Sequence, residues 1–304
     1  MRIVAYLGVK DEVDLIEQTI KHLRAIGVDL IIAVDSRSTD GTAEILKSYE
    51  SKDNFWLFQM DNLGRDDTEE VWLRRNMDII KRAEADWVIL LDADEYWLPL
   101  SGSLKDCVDL SSYDVISVDR FNVPLQHSGV MLPDELIRSR YKEIFLFVEP
   151  IPNFKAQLQQ DPRIAWIQGV PNTKVMARAN HIAGWTVGMH DAIVTDGRQL
   201  MRSKAADLII AHLPFTTFSR FARKVENIRG VFARFDFPGQ MGWHWRRWVR
   251  LADEGKLREE FEKQVFSQDA IANFHRRRIV CSAAELLDDR MLERNVLEVL
   301  DLRP

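Results

Sequence analysis

Three carboxylates follow a continuous apolar stretch. Residues 87–91 are Trp-Val-Ile-Leu-Leu, and Asp92, Asp94 and Glu95 come immediately after them. Five apolar residues are too few for a globular helix and favour a strand that is buried on both faces. In extended chain Asp92 and Asp94 share a face, so their carboxylates can jointly hold a hard divalent cation. The alternative is a polar loop whose acids are simply solvated.

Alternating strands and helices determine where these acids lie. The apolar pattern predicts strands at 3–9, 30–34, 55–59 and 87–91, and helices at 13–26, 43–49 and 70–85. This alternation is typical of βαβ crossovers and of a parallel sheet flanked by helices. Asp35 follows the second strand, just as Asp92 follows the fourth. Both acidic loops should therefore leave the same edge of one sheet, where α/β proteins bind ligands.

The third predicted helix carries two polar residues, Asn76 and Arg75, for which the sequence predicts different contacts. Asn76 lies on an apolar stripe with Trp72 and Ile79, so its amide needs a hydrogen-bonding partner inside the protein. Arg75 beside it is either a contact to a nucleotide or an ordinary surface arginine near Asp78.

Beyond residue 97 the regular alternation stops. Strands are predicted at 115–118 and 144–148, with shorter β candidates at 174–178, 186–189 and 208–211. From residue 216 onward the pattern is helical, beginning with one long amphipathic face formed by Phe218, Phe221, Val225, Ile228, Phe232 and Phe235. No repeat or low-complexity tract interrupts the chain, which favours one compact unit with a helical tail.

Composition excludes several classes of protein. The 304 residues carry a net charge of −6, which gives no overall attraction to nucleic acid or to anionic lipid. Cys107 and Cys281 lie far apart without metal-ligand spacing, so neither a disulfide framework nor a zinc site is indicated. The first apolar run meets charged residues at once and is typical of a strand, not of a signal peptide. No apolar run approaches the ~20 residues of a membrane span, and we expect a cytoplasmic protein.

Four short motifs in this order resemble the family 2 glycosyltransferases of GT-A fold. They are Val9-Lys10-Asp11-Glu12, Val34 to Thr42, Arg75-Asn76 and Leu91-Asp92-Ala93-Asp94-Glu95. The resemblance covers residues 1–100, with weaker similarity around 174–178, 188–191 and 211–214. Two positions depart from the family pattern, since the family often has Asn in place of Asp11 and a second acid in place of Ser36.

The resemblance implies a fold and a division of the chain. The fold is α/β, a Rossmann-like GT-A sheet that is mostly parallel and flanked by helices, with a C-terminal helical extension. Residues 1–100 would bind the nucleotide sugar, residues 101–214 would complete the same sheet and bind the acceptor, and residues 215–304 would form the extension.

The resemblance also implies a reaction and its cofactor. The donor would be a nucleoside diphosphate sugar, usually linked to uridine, and the acceptor a glycan or a lipid-linked glycan. Transfer would depend on Mn²⁺ or Mg²⁺ and would invert the anomeric configuration. By position, Val9, Asp35, Arg75 and Asp92 would contact the nucleotide sugar, with Asp35 accepting a hydrogen bond from the base. Asp92 and Asp94 would hold the metal.

The remaining site residues are less constrained by the pattern. An imidazole ligand would favour Mn²⁺, and the candidates are His190 and His212, each of which is otherwise a hydrogen-bonded core histidine. We favour His190, because Gly184 and Gly188 let its backbone approach a ligand closely. An inverting transferase needs a general base, for which we choose Asp191, with Asp196 and Glu149 as alternatives.

Other classes of protein share parts of this pattern. A metal-dependent phosphohydrolase of haloacid dehalogenase type also places Asp-x-Asp after a buried strand, but it expects a small Thr or Val where this chain has Tyr96. A nucleotidyltransferase usually has a Gly-rich basic loop after its first strand, which Gly8-Val9-Lys10 matches poorly. A non-catalytic carbohydrate-binding relative is a further alternative.

The segment 243–250, Trp-His-Trp-Arg-Arg-Trp-Val-Arg, interleaves aromatic and basic residues. It would stack on acceptor sugars or touch the inner face of a membrane that carries a lipid-linked acceptor. The alternative is a helix with tryptophan packed inward and arginine outward.

Overall fold

A computed structural model describes residues 1–50, 53–59, 69–130, 132–161, 163–186, 188–194, 199–233 and 242–299. The side chains of residues 69–75 and 298–299 lie outside this description. The strands are β1 (Ile3–Val9), β2 (Leu30–Asp35), β3 (Phe55–Gln59), β4 (Trp87–Asp92), β5 (Glu95–Pro99), β6 (Val115–Val118), β7 (Arg120–Asn122), β8 (Leu125–Gln126), β9 (Gly129–Val130), β10 (Phe145–Phe147), β11 (Lys174–Arg178), β12 (Ile182–Trp185), β13 (Ala192–Val194), β14 (Arg202–Lys204), β15 (Leu208–His212), β16 (Val265–Phe266) and β17 (Val280–Ser282). The helices are α1 (Ile16–Ala25), α2 (Thr42–Tyr49), α3 (Glu69–Arg82), α4 (Phe154–Gln160), α5 (Phe218–Phe232), α6 (Trp243–Asp253), α7 (Leu257–Glu262), α8 (Gln268–Arg276) and α9 (Ala283–Val299).

A seven-stranded sheet in the order β14-β6-β11-β4-β1-β2-β3 forms the centre. Strands β1, β2, β3 and β4 are mutually parallel, whereas β11 runs antiparallel to both β4 and β6. Apolar side chains cover both faces of β1, β2 and β4, which explains their uninterrupted hydrophobic sequences. The predicted α/β class, with a mostly parallel sheet flanked by helices, is confirmed.

The register of the parallel strands brings the acidic loops together. Gly8 pairs with Asp92 across β1 and β4, and Val9 pairs with Asp35 across β1 and β2. Adjacent strands lie about 4.8 Å apart, so Asp35 and Asp92 are two strand spacings, about 10 Å, from each other. The expectation that both acids lie at one edge of the sheet is confirmed.

A second sheet of three strands, β5-β15-β7, adjoins this edge. His212 of β15 pairs with Glu95 of β5 on one side and with Asn122 of β7 on the other. Directly paired residues point to the same face, so these three polar residues form one row. The sequence patterns did not predict β5 or β7, and they placed Glu95 in a loop.

Two other expectations differ from the structure. The predicted strand at 186–189 is wrong: the strand ends at Trp185, and positive φ angles at Gly188 and Met189 make a turn there. The segment after residue 215 is mainly helical but also contains β16 and β17, which pair with β8 and β10. Among the described helices none is long and apolar enough to cross a membrane. Both cysteines are free and buried.

Candidate functional site

The loops after β1 and β2 are bound to each other by hydrogen bonds at the carboxyl edge. The Asp11 amide donates to Ser38 Oγ at 2.9 Å, and the Thr39 amide donates to Asp11 Oδ1 at 2.7 Å. Asp11 adopts a left-handed conformation with φ of 55°, and Asn227 of α5 donates to its second oxygen. Burial opposes the charge of Asp11, but these donors lower its pKa below the usual value. The site of Asp11 therefore uses a charged acceptor where the family often has Asn.

Asp35 lies at the end of β2 with 1% of its surface exposed. Its Oδ1 accepts from the Ser38 amide at 3.0 Å, and its Oδ2 is buried without a donor among the described residues. A buried carboxylate oxygen without a partner costs free energy, which a ligand donor would recover. Val9, its neighbour on β1, is buried in the core and accepts the Ser36 amide with its carbonyl.

Asp92 and Glu95 share one cation from β11, and Glu95 binds a second cation from β7. Lys174 is completely buried, and its Nζ lies 2.8 Å from Asp92 Oδ2 and 3.3 Å from Glu95 Oε1. Arg120 donates to Glu95 as well. Burial raises the pKa of Glu95 in spite of Lys174. Asp92 differs from its neighbours because 47% of its side chain stays exposed, so it can still be reached by a ligand.

Asp94 is enclosed by cations from α5. Lys224 Nζ and Arg220 Nη2 lie 2.8 and 2.9 Å from its Oδ2, and only 4% of its side chain is exposed. Arg220 also binds both oxygens of Glu12, at 2.6 and 3.0 Å, and donates to the Leu213 carbonyl. Burial opposes the charge of Asp94, but Lys224 and Arg220 hold its pKa well below the usual range. Asp94 is thus a carboxylate that stays ionised in the protein interior.

Replacing Arg220 tests whether this buried network holds α5 on the sheet edge. Arg220→Met would leave Glu12 and Asp94 as buried carboxylates without their shared cation, and we expect it to lower the free energy of unfolding by about 3–5 kcal/mol. Arg229→Met is the matched control on the same helix, since Arg229 is 39% exposed and pairs with Glu226 and Asp253 at the surface. Its cost should be about 0–1 kcal/mol. Urea unfolding of both variants measures the difference, and equal losses would contradict a structural role of the network.

His212 lies beside Oδ1 of Asp94, the oxygen that these cations do not bind. Its Nε2 is 3.8 Å from Asp94 Oδ1, too far for a hydrogen bond. Two ligand atoms with metal bonds of about 2.1 Å can be up to about 4.2 Å apart, so one ion can bind both. Burial, together with Arg120, keeps the pKa of His212 well below its usual value, and the ring is neutral. An unprotonated imidazole nitrogen and an ionised carboxylate are donors that fit Mn²⁺.

One group of described side chains has the geometry of a metal site. Ligand atoms of Asp94, Glu95 and His212 all lie within 4.8 Å of one another. Asp92 and His190 are outside this group. His190, which we favoured from the sequence, instead has its Nδ1 2.8 Å from the Thr173 carbonyl. The geometry therefore favours His212 over His190 as the imidazole.

The candidate bases lie elsewhere. Asp191 is half exposed, and its Oδ1 accepts from Arg202 Nη1 of β14 at 2.6 Å. Glu149 is exposed at the end of the segment after β10, and Asp196 lies outside the described residues. The side chain of Arg75 is also outside them. None of these placements tests the assigned roles, which stay predictions.

The sequence predicted one feature of the site, a partner for the buried Asn76, and missed another, the cations of α5. The buried Asn76 does find a partner, since Tyr6 donates to its Oδ1 at 2.6 Å. The cations of α5 were not predicted, because the sequence interpretation of that helix considered only its apolar face. The signal was present in the i, i+4, i+7 spacing of Arg220, Lys224 and Asn227, which puts three polar residues on one face.

Residues 7–110 match the family model described as glycosyl transferase family 2. That span contains Asp11, Asp35, Asp92 and Asp94, and it ends before β6. The resemblance stated from the motifs is confirmed for this part of the chain. No curated protein sequence matches the chain.

Solved structures with a similar arrangement include S. aureus TarS 1-349 and glucosyl-3-phosphoglycerate synthase from Mycobacterium tuberculosis. TarS in complex with UDP-GlcNAc is 15% identical, with a TM-score of 0.38 over 77% of this chain and 66% of that one. TarS in complex with UDP has a TM-score of 0.36 over 67% and 61%. The match thus spans less than two thirds of both TarS chains. The synthase with Mn²⁺, UDP and phosphoglyceric acid is 15% identical, with a TM-score of 0.37 over 79% and 80%. The family match over residues 7–110, about a third of the chain, is therefore the finding that supports a glycosyltransferase.

Proposed function

We propose that this protein transfers a sugar from a uridine diphosphate sugar to a glycan or lipid-linked acceptor, with Mn²⁺ or Mg²⁺ as cofactor. The observation that carries the proposal is the pair formed by His212 Nε2 and Asp94 Oδ1, which face each other at the carboxyl edge of the matched domain. The orphaned Oδ2 of Asp35 at the same edge supports a nucleotide there. The TarS structures to which the chain is similar contain UDP or UDP-GlcNAc, which agrees with this donor class.

The metal would be held by Asp94 and His212, with Glu95 near enough to assist. Asp92 lies outside this group and would contact the nucleotide sugar. When bound, a divalent cation stabilises the negative charge that develops on the leaving diphosphate. Imidazole as a ligand favours Mn²⁺ over Mg²⁺, which prefers oxygen.

Lys224 supplies positive charge, in addition to the metal, for binding of the diphosphate. Its ammonium has three donors, uses one on Asp94, and keeps 30% of its side chain exposed. Arg220, by contrast, is 2% exposed and already bonds to three groups. We propose that Lys224 binds the diphosphate and that Arg220 holds α5 in place.

The acceptor would approach beside the metal pair. A cleft of about 280 Å³ lies between the start of α1 and the segment before α5, and its lining includes Gln18, Leu132, Leu213 and Thr217. Leu213 follows His212 directly, and its amide donates to the Asp94 carbonyl, so one wall of the cleft is joined to the site. We propose an inverting reaction with Asp191 as the general base.

Helix α6 contains the segment 243–250, which interleaves aromatic and basic residues. Trp248 is buried against Phe221 and Trp166, and Arg247 pairs with the buried Glu260, which fits the interpretation as a packed helix. Arg246 and Arg250 are exposed. Contact of this helix with an acceptor or with a membrane surface stays a prediction.

The nucleotide assignment is tested by replacing Asp35. Uracil offers its N3–H as a donor, and Asp35→Asn would present an amide NH₂ to it while its carbonyl keeps the Ser38 contact. We expect UDP affinity to fall about 10- to 100-fold, the usual loss when a hydrogen bond to a charged group is replaced by an unpaired donor. Calorimetric titration of UDP measures this.

A methylated nucleotide provides the control for that experiment. N3-methyl-UDP lacks the donor, so it should bind the parent weakly and should distinguish little between the parent and Asp35→Asn. If Asp35→Asn weakens both nucleotides equally, Asp35 supports the loop and does not contact the base.

The whole proposal is tested by screening nucleotide sugars for Mn²⁺-dependent thermal stabilisation and hydrolysis. We expect uridine-linked donors to raise Tm only when Mn²⁺ is present. Stabilisation by none of the donors would favour a non-catalytic carbohydrate-binding relative. The family match over residues 7–110 gives no support to a phosphohydrolase.

A further inference from the structure

Asn122 is a buried amide whose orientation is fixed by its neighbours. It has no exposed surface, and its Nδ2 donates to the carbonyls of Ile167 and Gly169 at 2.9 and 2.8 Å. Carbonyl oxygens only accept, so the amide cannot be turned around at this position. Its Oδ1 therefore points the other way, towards His212.

This orientation determines which nitrogen of His212 carries the proton. Asn122 Oδ1 lies 2.7 Å from His212 Nδ1, and an amide oxygen only accepts. Nδ1 must therefore be the donor. In the neutral ring the proton is then absent from Nε2, whose lone pair faces Asp94 Oδ1.

The strand register makes the arrangement rigid. His212 of β15 lies between Asn122 of β7 and Glu95 of β5, so the backbone holds all three in one row. The turn that anchors Asn122 is also tightly packed, because a Cβ on Gly169 would lie 2.5 Å from the Phe154 ring. The side-chain hydrogen bonds of Asn122 go to Ile167, Gly169 and His212, so any effect on Asp94 would pass through the histidine.

We propose that Asn122 is a positioning residue that fixes the Nδ1–H tautomer of His212 and thereby holds its Nε2 ready to bind the divalent cation. This inference rests on the proposed function and adds a residue outside the matched family segment. Partners that orient a metal-bound histidine typically change metal affinity about 10- to 100-fold when they are removed.

Two substitutions separate this role from simple support of the turn. Asn122→Leu removes the acceptor for His212 and both donors to the turn. Asn122→Asp removes the donors but keeps an oxygen for the His212 Nδ1–H. We expect both to lower Tm, whereas Mn²⁺ affinity in the presence of UDP should fall about 10- to 100-fold in Asn122→Leu alone. Parental Mn²⁺ affinity in Asn122→Leu, or equal losses in the two variants, would overturn the inference.

The tautomer of His212 can also be measured in the unmodified protein, so this test does not depend on whether the variants fold. Long-range ¹H–¹⁵N spectra of the metal-free protein should show His212 with its proton on Nδ1. His22 is an internal reference of opposite tautomer, because its Nε2 lies 2.7 Å from the Trp97 carbonyl and must donate to it. A proton on Nε2 of His212 would overturn the inference.

His212→Ala distinguishes failure of this inference from failure of the proposed function. If the parent shows no Mn²⁺-dependent UDP binding, the metal site and the inference both fail. If the parent binds Mn²⁺ and His212→Ala loses it while Asn122→Leu does not, only the role of Asn122 is overturned. In the His212→Ala background, Asn122→Leu should cause no further loss of Mn²⁺ affinity.

Discussion

Asp94→Asn should remove the metal dependence of UDP-sugar binding and lower the rate of sugar transfer by about 10²–10³-fold, the scale for losing one preorganised electrostatic contact. The amide has the volume of the carboxylate, and its oxygen can still accept from Lys224 and Arg220. Its NH₂ would face His212 Nε2 and occupy that lone pair. Titration of UDP with and without Mn²⁺ measures the effect on binding, and transfer is measured once an acceptor is found.

Two variants serve as controls for this experiment. Glu12→Gln disturbs the same Arg220 network without touching the His212 pair, so the Mn²⁺ dependence of UDP binding should persist. Asp92→Asn should have a smaller effect than Asp94→Asn, because Asp92 is exposed and lies outside the group formed by Asp94, Glu95 and His212. Unchanged Mn²⁺ dependence in Asp94→Asn would contradict the metal assignment.

The first hundred residues could be predicted because their signals are local. Buried parallel strands give uninterrupted apolar runs, helices give the 3.6-residue period, and parallel strands with crossovers must share a carboxyl edge. That logic placed Asp35 and Asp92 at one edge, which the pairing of β1 with β2 and β4 confirms.

The partners of the acids could not be predicted, because they arise from contacts between distant segments. Asp94 is paired with Arg220, 126 positions away, and Asp92 with Lys174, 82 positions away. Each pair depends on how α5 and β11 pack on the sheet. No periodicity within either segment encodes that docking.

The sheet β5-β15-β7 shows why the metal-binding histidine could not be chosen from the sequence. His190 and His212 both lie next to short apolar runs, and the local sequence offered only Gly184 and Gly188 to separate them. In the structure Gly188 accommodates the His190 ring, since a Cβ there would lie 2.7 Å from His190 Nε2. What distinguishes His212 is the pairing of β15 with β5 and β7, which depends on register and not on composition.

Asp191→Asn should lower the turnover number by about 10²–10⁴-fold while leaving UDP-sugar affinity near that of the parent, if Asp191 is the general base. An amide cannot take the proton of the acceptor hydroxyl, whereas the half-exposed carboxylate of Asp191 lies outside the group formed by Asp94, Glu95 and His212. Donor affinity by calorimetry and turnover under saturating donor separate the two quantities.

The variant Arg202→Gln shows whether Asp191 acts as the general base or only as the ion-pair partner of Arg202. Arg202 binds Asp191 Oδ1 at 2.6 Å, and both side chains are about half exposed, so the pair itself should contribute only about 0–1 kcal/mol to stability. If Asp191 is the base, Arg202→Gln frees its carboxylate and should leave turnover within about threefold of the parent, in contrast to the large loss in Asp191→Asn. If the two variants lose the same small amount of activity, Asp191 serves only the ion pair. The base would then be Asp196 or Glu149, and the same pair of measurements on Asp196→Asn and Glu149→Gln would identify it.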